Sequence, residues 1–189
     1  ETARLGSKNS VVYKLSGKKL RMSAAGIYSS YADYRLPNGR FLSDSRMNDM
    51  GGKLKLGYNS GKWNWELNYL YSRSTVGIPG HTHDINPAPE SFMLDEQDRD
   101  YSLPHQAILN HFGNLKATYF ISTKNKMEFY VNHGLNNLAE YEEKIYTPAI
   151  DMYLNSSSVQ ARHHWNPNKR LQLLSGIQTI LESNKNGLD

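Results

Sequence analysis

The chain has 189 residues, no Cys, 21% charged residues and a net charge of +4 from 22 basic and 18 acidic side chains. That length fits one domain or two small ones, and the lack of Cys removes disulfide scaffolds, thiolate metal sites and cysteine nucleophiles together. Mean hydropathy is -0.68 and no apolar run approaches the roughly 20 residues of a spanning helix, which excludes a helical membrane protein; the dispersed charge excludes a nucleic-acid footprint.

From the N-terminus, Glu1-Thr2-Ala3-Arg4 carries no signal-peptide pattern. This suits a cytoplasmic protein or an internal piece of a longer one. The first hairpin is predicted at Ser16-Gly17-Lys18, with Val11, Tyr13 and Leu15 before it and Leu20, Met22, Ala24, Gly26 and Tyr28 after it. A second turn, Asn59-Ser60-Gly61-Lys62, follows an arm that sets Leu54, Leu56 and Tyr58 against Lys53, Lys55 and Gly57. Its return arm sets Trp63, Trp65, Leu67, Tyr69 and Tyr71 against Asn64, Glu66, Asn68 and Ser72, a period of two that only a strand satisfies. The third turn, Thr123-Lys124-Asn125-Lys126, joins Leu115, Ala117, Tyr119 and Ile121 to Met127, Phe129 and Val131. The fourth, Asn166-Pro167-Asn168-Lys169, joins Val159, Ala161, His163 and Trp165 to Leu171, Leu173, Ser175 and Ile177. The expectation is about eight long antiparallel strands in four hairpins.

The connections at the opposite end, residues 35–48, 74–104, 138–150 and the tail from 183, are long and rich in Pro, Gly, Asp and Asn. The second runs to about thirty residues, uncommon in a compact domain and usually functional. Long strands with one apolar and one polar face, very short turns at one end and long loops at the other fit an all-β, antiparallel transmembrane β-barrel segment with short periplasmic turns and extracellular long loops. Lipid would solvate the apolar face, while Lys53, Lys55, Glu66, Lys116, Glu128, Arg162 and Arg170 would face the lumen. Tyr58, Trp63, Trp65, Phe129 and Trp165 near the short turns would belong to the interfacial girdle. Alternation alone also fits a soluble lipocalin-like β-barrel with its apolar face inward, binding a small apolar ligand. The loop asymmetry and the placement of Trp and Tyr favour the membrane.

Around the third hairpin, Leu103-Pro104-His105-Gln106 and Asn136-Asn137-Leu138-Ala139-Glu140-Tyr141 resemble the barrel domain of TonB-dependent outer-membrane transporters. That family often shows Pro-x-Gln followed by Asn-x-Arg-x-Glu-aromatic; Asn136, Glu140 and Tyr141 match, and Leu138 stands at the Arg position. Asp33-Tyr34-Arg35, Leu36-Pro37-Asn38-Gly39 and Ser45-Arg46 extend the resemblance, which covers about residues 4 to 183. Gly77-Ile78-Pro79-Gly80-His81-Thr82-His83-Asp84 is similar to a loop in receptors for metals and iron complexes, including zinc-uptake receptors. The resemblance implies a receptor in the outer membrane of a Gram-negative bacterium, importing a scarce metal ion or an iron complex such as a siderophore or haem. It also implies a plug domain inside a larger barrel and, through the plug, the TonB complex as partners. No plug is present in this sequence. Because the first and last turns are short, both termini fall on the long-loop side, and residues 1–189 are expected to be one part of a receptor barrel.

The sharpest candidate site is His81, His83 and Asp84. In an extended segment residues two apart point the same way, so both imidazoles could meet one ion, and Asp84 could add an oxygen or orient a ring. Without Cys, such a site suits zinc or another borderline divalent ion. Downstream, Glu90, Asp95, Glu96, Asp98 and Asp100 make the same loop acidic; Glu90, Asp95, Asp98 and Asp100 are candidates for drawing a cationic substrate to the mouth, or for keeping a long loop hydrated. His163 and His164 point to opposite faces and cannot readily share a ligand. No nucleophile elbow or Ser/His/acid arrangement is visible, so no catalytic residue and no cofactor is assigned.

Overall fold

A computed structural model describes residues 4–80, 87–100, 103–144 and 146–188. Period-two alternation is realised as ten antiparallel strands, eight of them long. The strands are β1 (Arg4–Ser16), β2 (Leu20–Arg35), β3 (Phe41–Leu42), β4 (Met47–Ser60), β5 (Trp63–Gly77), β6 (Met93–Leu94), β7 (His105–Ser122), β8 (Asn125–Tyr141), β9 (Ile150–Asn168) and β10 (Leu171–Asn186). A 3-10 turn, Pro89–Phe92, precedes β6. The long strands pair in chain order, with β3 and β6 attached beside the far end of β2. The sheet is an open, strongly curled half-barrel, and β1 and β10 are its two free edges.

All four predicted hairpins are present. Gly61 has φ 57°, a left-handed backbone that a two-residue turn needs and that glycine adopts without a Cβ penalty. The fourth turn falls at residues 169–170, at the end of the predicted cluster, because Asn168 Oδ1 accepts from the N–H groups of both Arg170 (2.9 Å) and Leu171 (3.0 Å) and so caps the reversal.

Each hairpin reaches past the one before it. Leu20, which opens β2, pairs with Tyr58, two residues short of the end of β4. Trp63, which opens β5, pairs with Tyr119, three short of the end of β7, and Asn125 pairs with Trp165, three short of the end of β9. A stagger of one to one and a half residues per strand, at about 3.3 Å per residue and 4.8 Å between strands, corresponds to a strand tilt of roughly 35–45°, the range of closed barrels.

This register gathers the apolar positions into continuous rows. Leu15, Met22, Leu56, Leu67, Leu115, Val131 and Val159 lie side by side across seven strands. The neighbouring row runs Leu20, Tyr58, Trp65, Ala117, Phe129, Ala161 and Ile177. Toward the long loops the belt thins on later strands: the row holding Leu54 and Tyr69 on β4 and β5 carries Gly113, His133 and Ser157 on β7 to β9, and the row of Tyr71 carries His111, Leu135 and Asn155. Toward the short turns β9 and β10 add Trp165 and Leu173. The belt therefore slants across the strands, as a horizontal band must on tilted strands. It is also uncovered, with Val131 48% and Val159 59% exposed.

The opposite face is polar and knitted by side chains. Asn68 Nδ2 donates to Asn114 (3.2 Å), Asn114 to Asn132 (2.6 Å) and Asn132 to Ser158 (2.9 Å), so one row spans four strands. Asn136 donates to Asn110, which donates to Ser72, four residues farther along.

Candidate functional site

The ends of β2, β4 and β5 carry most of the ordered loop structure, and one arginine organises it. Arg46, immediately before β4, is 3% exposed and lies 2.9 Å from Asp33 of β2, whose side chain is fully buried. Asp33 also accepts from the Ser45 N–H at 3.1 Å, while Arg46 Nη1 reaches Asp98 at 2.7 Å and donates to the Asp100 carbonyl. A buried carboxylate without such partners would be strongly disfavoured, so the cluster is a single unit. Gly77 closes it from β5, donating its N–H to the Arg46 carbonyl at 3.0 Å. A Cβ there would overlap the Asp44 carbonyl, which is why the end of β5 takes glycine.

Through these contacts the second long connection folds back over the β1–β2 end as a strap. Ser43 N–H donates to Phe92 (2.8 Å), Asp33 N–H to the Asp98 carbonyl (3.1 Å) and Gln97 Nε2 to the Asp33 carbonyl (2.7 Å). Arg99 reaches the Leu5 carbonyl, and Arg40 binds Asp95 at 2.9 Å and the Met93 carbonyl at 2.7 Å. Of the acidic candidates, Asp95 and Asp98 are therefore paired with arginines, Glu90 is exposed on the 3-10 turn, and Asp100 gives its backbone to the Arg46 cluster. His81, His83 and Asp84 lie outside the described residues. Among the described residues no three His, Asp or Glu side chains are grouped so as to hold a metal ion.

The Asp98 carboxyl is held below its ordinary value of 3.8, first by the Asp100 backbone N–H and, against some desolvation, by Arg46 and the Arg99 N–H. A depressed native value means that the attachment is complete above about pH 4 and is lost as pH falls through the lowered value. Since the chain lacks Cys, Glu96→Cys gives a single labelling site on the strap. The anisotropy of a fluorophore there is expected to hold from pH 8 to 5 and to fall below pH 4; a fall centred near neutrality would show another group in control.

In the sequence Asp33 and Ser45-Arg46 stand only as parts of short motifs. Their pairing is hidden because they stand 13 positions apart across a connection, and period-two alternation has no term for a chain that returns on itself. The remaining polar cluster lies near the short turns. Glu128, 6% exposed, sits 2.8 Å from Lys126, 3.4 Å from Lys116 and 2.9 Å from His164. His163 instead bonds Asn125 at 2.7 Å on the other face, so the two histidines do not share a partner.

No protein-family model matches the chain, and no curated protein matches it.

Proposed function

We propose that the chain is a wall segment of a TonB-dependent receptor in the outer membrane of a Gram-negative bacterium, a transporter of a metal ion or iron complex. The observation that carries the membrane part is the uncovered apolar belt, continuous from strand to strand across the register rows. Lipid is the solvent that matches such a band on strands tilted this way. A wall also accounts for the free edges of β1 and β10: long unpaired edges are aggregation-prone in water and forbidden in lipid, so each takes a neighbouring strand of the same barrel. The receptor part is supported by the short motifs that resemble the family, Pro104-His105-Gln106 and Asn136 to Tyr141 among them.

In this reading the segment is passive. Its polar face lines the path or meets the plug domain, its long loops capture the ligand, and energy transduction by the TonB complex acts elsewhere in the protein. The test is fractionation of the full receptor that carries this segment with the outer membrane, and a closed, heat-modifiable barrel formed in detergent by residues 1–189 alone would overturn the segment reading. Recovery in the soluble fraction without detergent would replace this reading with the lipocalin-like one.

Capture of metal is assigned to His81, His83 and Asp84. Titration of zinc by calorimetry is expected to give a site that the pair His81→Ala and His83→Ala abolishes; unchanged affinity would remove the assignment and leave the wall intact.

A further inference from the structure

The polar face is not evenly charged. On β7 and β8, Glu128 lies within ion-pair distance of Lys116 and Lys126. On β1, β2 and β4, among the described residues, no carboxylate lies within ion-pair distance of Lys14, Arg21, Lys53 or Lys55, and all four are exposed. The register brings them together. Lys14 and Lys55 flank Ser23 in one row, Arg21 faces Gly57 in the next, and Lys53 is two residues from Lys55 on the same face. At strand spacings of about 4.8 Å and a rise of about 3.3 Å per residue, the four root within roughly 10 by 14 Å. Glu66, the carboxylate that lines the same groove, accepts from Asn64 Nδ2 at 2.9 Å.

An apolar island adjoins these cations. The row of Lys53 continues through Leu70 to Phe112, which are 44% and 51% exposed. Phe112 lies over Gly134, where a Cβ would come within 3.3 Å of its ring, so the glycine makes room for the aromatic to lie against the wall. Asn68 and Asn114 of the asparagine ladder border it. A recess of about 370 Å³ lined by Lys53, Lys55, Leu70 and Phe112 shares Lys55 and Asn68 with one of about 420 Å³ lined by Lys14 and Arg21.

Four cations that share a groove with one carboxylate, Glu66, leave an excess of positive charge, and a ligand carrying several oxyanions relieves their repulsion while making charge-assisted hydrogen bonds. Oxyanions alone would leave Leu70 and Phe112 in water. We infer that this face binds an organic polyanion, with two or more carboxylate or phosphate groups on Lys14, Arg21, Lys53 and Lys55 and an apolar or aromatic body on Leu70 and Phe112. The inference rests on reading the chain as an import receptor, for which it names the charge class of the cargo.

The probes are benzene-1,2,4,5-tetracarboxylate, which carries ring and charge, and citrate, which carries charge alone, titrated by calorimetry into the detergent-solubilised protein at low salt. The double variant Lys53→Gln, Lys55→Gln should weaken the aromatic probe roughly tenfold or more. Phe112→Ala should weaken it several-fold and leave citrate unchanged, and Lys18→Gln with Lys19→Gln at the β1–β2 turn should change neither. The site is overturned if the aromatic probe does not bind, if the turn variant weakens it as much as the groove variant, or if Phe112→Ala affects both probes alike. An outer-membrane protein that binds neither probe refutes this site alone. A water-soluble protein that binds with these dependences refutes the membrane reading alone.

Discussion

Replacement of Arg46 with Met is expected to cost about 3–5 kcal/mol of stability, the usual penalty for removing one partner of a buried ion pair. The size follows from what is left behind. Asp33 is fully buried, and with Arg46 gone its only remaining donor in the cluster is the Ser45 N–H. Arg46→Lys should recover part of the loss, because it restores charge but cannot contact Asp33 through two nitrogens while reaching Asp98 with a third. The double variant Asp33→Asn, Arg46→Met should be less damaged than Arg46→Met alone, since no buried charge then lacks a partner. Urea unfolding in detergent measures the global term, and amide exchange over residues 87–100 the release of the strap. An Arg46→Met protein within 1 kcal/mol of wild type, with unchanged exchange, would mean that the cluster does not hold the strap.

The strands were legible in the sequence and the strap was not, for one physical reason. Each strand writes its own face pattern locally, so Trp63 to Tyr71 declares itself without reference to any other segment. Hairpin partners are nearly as local, because Gly61 fixes where β4 must reverse and the turn then sets the register of β4 on β5. The start of β4 is less legible: Gly51 and Gly52 interrupt the alternation, which is visible only from Lys53 although pairing starts at Met47. β3 and β6 are two-residue strands held by the Arg40 and Arg46 contacts more than by any pattern of their own. The acidic loop hides its pairing in the same way: Asp95 and Asp98, candidates for drawing a cationic substrate, each meet an arginine some 50 residues away in sequence.

The unpaired cations on β1, β2 and β4 were visible as residue types but not as a cluster. Lys14, Arg21 and Lys55 come from three strands, and only the register makes them neighbours. The same holds for the apolar belt. Composition averages it away because alternate residues cancel, whereas the cross-strand rows add it up. Which solvent the belt faces is the question on which the functional reading turns.

Leu115→Arg addresses that question through depth. Leu115 lies in the middle row of the belt, whereas Trp165 lies near a short turn and next to Leu173 at the belt's edge. If lipid covers this face, arginine at position 115 should destabilise the folded protein by about 2–4 kcal/mol and arginine at position 165 by about 1 kcal/mol or less, because the penalty falls toward the interface. Asn114→Arg, one residue away on the polar face, should cost far less than Leu115→Arg. A soluble barrel with the same face inward would also reject arginine at 115, so the energies need a second reading that sees the solvent itself. All three Trp residues, Trp63, Trp65 and Trp165, lie on the apolar face toward the short turns. Lipids brominated near the headgroup should therefore quench tryptophan fluorescence more than lipids brominated at the chain ends. Absence of quenching by either lipid, combined with a large penalty at position 115, would place this face in a protein core and reassign the polar face to water.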